Sequence, residues 1–172
     1  MKLIKTLSSI IFVLALVGCN SMPYTTSTTG KLNVEKTLVI NATADEVWGF
    51  AGGWTSIDNL VPTGIASILS NGNKVGSFRK VNLKGGGIVE EIMINKGETR
   101  YTYIITKSPL PVSNYRSTLE VKELGNGKSE FTWRSDFFAD GVSNAEAANI
   151  IAGLYEGALD VLHNKYNDTN KK

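Results

Sequence analysis

The chain of 172 residues has little of three chemically informative side chains: one cysteine, one histidine and four prolines. With Cys19 alone no intrachain disulfide forms, and with His163 alone no histidine pair can hold a metal, so no metal site is expected; no cofactor is expected either. His163 is read as a solvated residue on the same helix flank as Asp160. Excess charge of one sign is also missing. Taking Lys2 and Lys5 from the 18 basic residues leaves a count equal to the 16 acidic ones. A nucleic-acid partner is excluded on that ground, because it needs a basic footprint. The apolar run from Ile10 to Val17 falls far short of the roughly 20 residues that cross a bilayer. Gly85-Gly86-Gly87 lacks the Lys-Ser/Thr ending of a phosphate loop and is read as a turn.

What is present begins with a basic start, Met1-Lys2-Leu3-Ile4-Lys5, followed by the short apolar run and Leu16-Val17-Gly18-Cys19. This is the layout of a secretory signal. The last four residues resemble the bacterial lipobox, at which a diacylglycerol is attached to cysteine. The resemblance implies a signal peptide over 1–18, lipidation at Cys19 and anchoring to the membrane through acyl chains that contribute about 0.8 kcal/mol per buried methylene. The other reading is an ordinary signal with an incidental cysteine. By resemblance to Gram-negative lipoproteins, Asn20 directs the protein to the outer membrane, facing the periplasm; in a Gram-positive host that sorting argument lapses. Residues 19–30 are polar and aperiodic, and read as a flexible tether.

Residues 31–166 fit one domain with one core, followed by a polar tail over 167–172. A strand over Lys31 to Ile40 is followed by Thr43-Ala44-Asp45-Glu46, a capping box that opens a helix through Val47, Trp48 and Phe50. A second short helix or loop spans Trp54 to Pro62, and a strand Ile65 to Leu69. Alternation predicts strands over Ser77–Leu83, Ile88–Ile94, Arg100–Thr106, Asn114–Glu123 and Ser129–Phe138. From Asn144 to Tyr166 the period becomes helical, with Ile151, Leu154, Tyr155, Ala158, Leu159, Leu162 and Tyr166 on one stripe. Gly153 and Gly157 lie beside that stripe and are read as allowing close packing, with a cavity as the alternative. The fold class is thus α+β, an antiparallel meander with one long C-terminal helix.

The candidate site lies in the hairpin around the glycine turn. A period of two places Arg79 with Val81 and Leu83 on the apolar face, and Glu90 with Ile88, Ile92 and Ile94. Glu91 is then sent to the other side. Because the two glutamates adjoin, a register displaced by one residue would turn Glu91 inward instead. Arg79 and Glu90 are expected to face each other across the hairpin. A buried pair of this kind is seldom kept for stability alone, since its desolvation can exceed its attraction. A solvated cross-strand bridge is the bland alternative. Tyr115 shares an inward face with Ser117, Leu119 and Val121. Trp133 shares one with Phe131, Ser135 and Phe137.

Several strings, among them Ala44-Asp45-Glu46-Val47-Trp48, Gly76-Ser77-Phe78-Arg79, Pro109-Leu110-Pro111-Val112-Ser113-Asn114-Tyr115 and Gly153-Leu154-Tyr155-Glu156-Gly157, resemble the START-related SRPBCC superfamily. The likeness is to its polyketide cyclase/dehydrase-like branch, which includes lachrymatory-factor-synthase-type proteins. The resemblance implies a helix-grip fold, a curved antiparallel sheet wrapped around the C-terminal helix over an apolar cavity. It also implies that Arg79, Glu90 and Tyr115 are candidates for catalysis or ligand binding; Trp133, from its inward face on a central strand, is a further ligand-binding candidate. Three functions stay open: binding of a small hydrophobic or amphipathic ligand, cofactor-free cyclisation, isomerisation or dehydration by the Arg-Glu pair, and a structural envelope role without ligand. Protein partners are not indicated by any motif.

Overall fold

The structure, a computed structural model, describes residues 31–168. The signal peptide, Cys19 and the tether lie outside the described residues, as does the tail beyond residue 168. In chain order the elements are β1 (Leu32–Ile40), α1 (Ala44–Ala51), α2 (Ile57–Leu60), β2 (Ile65–Ser70), β3 (Phe78–Leu83), β4 (Ile88–Lys96), β5 (Arg100–Lys107), β6 (Val112–Gly125), β7 (Lys128–Ala139) and α3 (Asn144–Tyr166). The strands form one antiparallel sheet in the order β1-β7-β6-β5-β4-β3-β2. The sheet curves around α3, which packs on β1 and β7, while α1 packs on β6 and β7 and α2 packs on α3. This is the helix-grip fold that the resemblance implies. Among the described residues no helix is long and apolar enough to cross a membrane.

Local chemistry sets the element ends. Thr43 caps α1 reciprocally: its Oγ accepts from the Glu46 amide, and the Glu46 carboxylate accepts from the Thr43 amide at 2.9 Å. Two orphan helix donors are satisfied this way. Gly86 and Gly87 turn β3 into β4 with φ of 89° and 91°, a region that L side chains avoid. In α3 the buried stripe is Ala147, Ile151, Tyr155, Ala158 and Leu162, with Leu154, Leu159 and Tyr166 packed at its margins. Each large apolar side chain buried there contributes about 2 kcal/mol. The end of α3 is tied to the end of β1, because Asn167 Nδ2 donates to Val39 O and its Oδ1 accepts from the Asn41 amide, both at 2.9 Å.

Three expectations are corrected. In β4 the inward residues are Val89, Glu91 and Met93, so Glu90 and the isoleucines point to the convex side. The reason lies on that outer face. Ile92 pairs with Phe78 on one side and Ile104 on the other, all half-buried, and this cross-strand cluster gives β-branched residues a place outside the core. The second correction concerns Gly153 and Gly157. Both are exposed, and a Cβ added at either would meet nothing within 4 Å, so neither supports close packing or borders the cavity. The strand expected to begin at Asn114 begins at Val112 instead, with its register broken between Ser113 and Arg116. Asn114 occupies φ 50° at this bulge, and Tyr115 beyond it is turned inward.

Candidate functional site

A cavity of about 370 Å³ lies between the concave face of the sheet and the helices. Its walls are mostly apolar. Ile57 and Val61 come from α2 and its end, Val81, Val89 and Ile105 from three adjacent strands, and Leu154 from α3. Among the described residues, Arg79 and Glu91 are the only charged ones in its lining. They stand opposite each other in the β3–β4 register, and Arg79 Nε donates to Glu91 Oε2 in a short, charge-assisted bond. Arg79 is 1% exposed and Glu91 5% exposed.

The guanidinium is held on several sides. Its Nη1 donates to Trp54 O at 2.6 Å, and its Cζ sits 4.1 Å from the Trp54 ring centroid and 5.1 Å from that of Tyr103. Cation–π attraction strengthens when the cation is desolvated, as here. Burial alone pulls the Arg79 pKa down, but the Glu91 carboxylate, through its charge and hydrogen bond, together with Tyr101 and Tyr103 more than offsets this, so the cation persists. The loop between α1 and α2 is thereby fastened to the sheet, and Trp54 Nε1 adds a bond to Phe78 O at 3.3 Å.

Hydroxyl groups gather around another part of the wall, where Tyr103 and Tyr115 belong to the lining and Ser117 and Tyr155 do not. Tyr115, from β6, and Tyr155, from α3, meet hydroxyl to hydroxyl. Tyr155 also lies 3.2 Å from Ser117 Oγ and stacks on Trp133 with ring centroids 4.4 Å apart. Trp133 Nε1 donates to Ser117 Oγ at 3.0 Å and to Tyr103 Oη at 3.3 Å. Burial pushes the pKa of Tyr103 and Tyr115 well above the usual tyrosine range and that of Tyr155 upward, so these phenols stay protonated at neutral pH.

Of the residues singled out from sequence, Arg79, Tyr115 and Trp133 line this cavity. Glu90 does not. It lies on the convex face with Lys80 Nζ at 3.1 Å, the two side chains 30% and 43% exposed, and is thus the solvated bridge of the bland alternative. Glu91 occupies the place expected of Glu90. Tyr103, Ser117 and Tyr155 were not singled out as site residues. Ser117 shares the alternation that placed Tyr115 inward, Tyr155 is on the helical stripe, and Tyr103 lies in a strand rich in tyrosine, so a signal for each was present. No group of metal-ligating side chains exists among the described residues.

Residues 31–166 match the family model described as polyketide cyclase/dehydrase and lipid transport. No curated protein matches the chain. Among solved structures, the protein XoxI from Bacillus cereus is 30% identical with a TM-score of 0.71, over 81% of this chain and 99% of its own. A START superfamily protein from Mycobacterium smegmatis is 12% identical with a TM-score of 0.67, over 80% of this chain and 98% of its own. Norcoclaurine synthase from Thalictrum flavum, in complex with dopamine and hydroxybenzaldehyde, is 16% identical with a TM-score of 0.59, over 83% of this chain and 90% of its own. The last two likenesses concern the fold alone. With the seven-stranded grip, the cavity and a family match over nearly all the described residues, the chain belongs to the polyketide cyclase/dehydrase and lipid transport family.

Proposed function

We propose that the protein is a lipoprotein of the bacterial cell envelope, acylated on Cys19, whose domain holds a small apolar or amphipathic molecule in the cavity beneath α3. The observation that carries this reading is the cavity: about 370 Å³ of mostly apolar space with one buried ion pair in its wall. Ligand sites have this character, an apolar enclosure with a few polar groups that orient the occupant. The lipid transport in the family description supports the same reading. Anchoring rests on the sequence Leu16-Val17-Gly18-Cys19, and Asn20 favours the outer membrane if the host is Gram-negative. Native mass spectrometry of the full chain, purified gently from its own host, tests both parts. A mass beyond the acylated polypeptide that is lost on Glu91→Gln supports a carrier; a bare acylated polypeptide contradicts one. An unmodified Cys19 contradicts the anchor.

A second reading is favoured by the carboxylate of Glu91, buried in the same cavity as Arg79 and Tyr115. Such a set suits cofactor-free isomerisation, cyclisation or dehydration, with Glu91 moving the proton and Arg79 facing a developing oxyanion. The likeness of fold to norcoclaurine synthase is compatible with it. Recovery of the occupant in chemically altered form after incubation with the protein, and unaltered after incubation with the Glu91→Gln variant, would favour this reading over the carrier.

A further inference from the structure

We infer that a chain of hydroxyl groups leading from Tyr115 on the cavity wall is oriented in one direction, so that the site selects an uncharged molecule bearing a hydroxyl group. The inference rests on the proposed ligand-binding function and concerns which ligand the site takes. Ser117 has one proton, and its Oγ lies 2.8 Å from Arg134 O, a carbonyl that can only accept. Ser117 therefore donates to Arg134 and accepts from Trp133 Nε1. Tyr155 touches both Ser117 and Tyr115. Both contacts are satisfied together in one arrangement only: Tyr155 gives its proton to Ser117 and receives that of Tyr115. The chain of donors thus runs Tyr115 to Tyr155 to Ser117 to Arg134 O.

Two consequences reach the cavity. The Tyr115 proton is spent on Tyr155, so toward a ligand Tyr115 offers only lone pairs. Tyr103 is the opposite case. Its oxygen accepts from Trp133 Nε1, which leaves its own proton for another acceptor. The Tyr103 and Tyr115 rings lie 6.3 Å apart on adjacent strands, both in the lining. A ligand hydroxyl can donate to one and accept from the other, whereas an ether or carbonyl satisfies only Tyr103. Charge is selected against as well. Arg79 is neutralised by Glu91, and the lining contains no other ionised side chain, so a carboxylate would enter beside Glu91 without a free cation to meet it.

The test is equilibrium dialysis of the full chain at pH 7 against three probes of one shape: 2-naphthol, 2-methoxynaphthalene and 2-naphthoate. 2-Naphthol should bind about fivefold more tightly than the methyl ether, the effect of one buried hydrogen bond, with the carboxylate weakest. Tyr115→Phe should bring 2-naphthol and its ether to the same affinity. Ser117→Ala frees the Tyr155 proton to turn toward Tyr115 and should also narrow the difference. Equal binding of 2-naphthol and the ether by the unaltered protein, or tightest binding of 2-naphthoate, would overturn the inference while leaving ligand binding intact. Failure of all three to bind would overturn the carrier reading itself, and with it this inference.

Discussion

Glu91 lies directly across the β3–β4 ladder from Arg79, on the concave face, while its neighbour Glu90 pairs with Lys80 on the convex one. Two adjacent glutamates in one strand thus make two ion pairs of opposite character. The inner pair is desolvated and stacked on aromatic rings; the outer one stays in contact with water.

The difference should show in stability. Removing one partner of the buried pair, as in Arg79→Met or Glu91→Leu, leaves a buried charge unmet and should cost about 3–5 kcal/mol. Glu90→Gln should cost less than about 1 kcal/mol. Urea denaturation of the three variants decides the matter. A larger loss for Glu90→Gln than for Glu91→Leu would mean that the strand presents its other face to the cavity.

The helix α3 carries two correctable weaknesses. Gly153 and Gly157 face solvent with open space where a Cβ would lie, so alanine adds helix propensity without collision. Each of Gly153→Ala and Gly157→Ala should stabilise the protein by about 0.5–1 kcal/mol. Thermal melting would register this as a rise of a few degrees. A fall would show that these glycines contact something beyond the described residues.

Asn114 holds the bulge that turns Tyr115 inward, with φ 50°. Asparagine tolerates the left-handed region and glycine enters it freely, but a β-branched residue does not. Asn114→Gly should therefore be close to neutral, and Asn114→Val should cost roughly 1–3 kcal/mol. Denaturation monitored by the fluorescence of Trp133, which stacks on the partner of Tyr115, would compare the two.

Alkaline pH should destabilise the fold steeply. Burial raises the pKa of Tyr101, Tyr103, Tyr115 and Tyr155 above the ordinary 10.0. Above pH 10 the unfolded chain loses these phenol protons while the folded chain retains them. The unfolded state then binds fewer protons, and stability falls as pH rises, by up to about 1.4 kcal/mol per pH unit for each tyrosine. Below pH 10 the four phenols are neutral in both states and their contribution is fully present. Urea midpoints between pH 9 and pH 11.5 should show the decline, and Tyr115→Phe should make it shallower. An unchanged slope in that variant would mean that Tyr115 is not held neutral by burial.

Where one residue pattern served one face, the sequence was readable. The capping box at Thr43 and Glu46, the alternation of β6 and β7 and the stripe on α3 each have a polar side that only solvent can take. In β4 both parities are apolar apart from a glutamate in each, and the isoleucines find partners in Phe78 and Ile104 on the convex face. Alternation then cannot say which side is the core, and Glu90 was placed where Glu91 belongs. The Tyr115–Tyr155 contact was illegible for a different reason: it joins a strand to a helix 40 residues on, and only the closed fold brings the hydroxyls together.

The order of the strands also governs when the molecule can form. β1 pairs along its whole length with β7, from Leu32 opposite Phe137 to Ile40 opposite Ser129, and among the described residues it is an edge with no other neighbour in the sheet. The first strand to leave the ribosome therefore waits for the last one. Contacts so distant in sequence close slowly, because the entropy of the intervening loop is lost before any pairing compensates. Until residues 128–139 exist, β1 has no partner in the sheet, and α3 has no complete surface to grip. The sheet is therefore complete only once its first and last described strands have met, whatever hairpins between them form earlier.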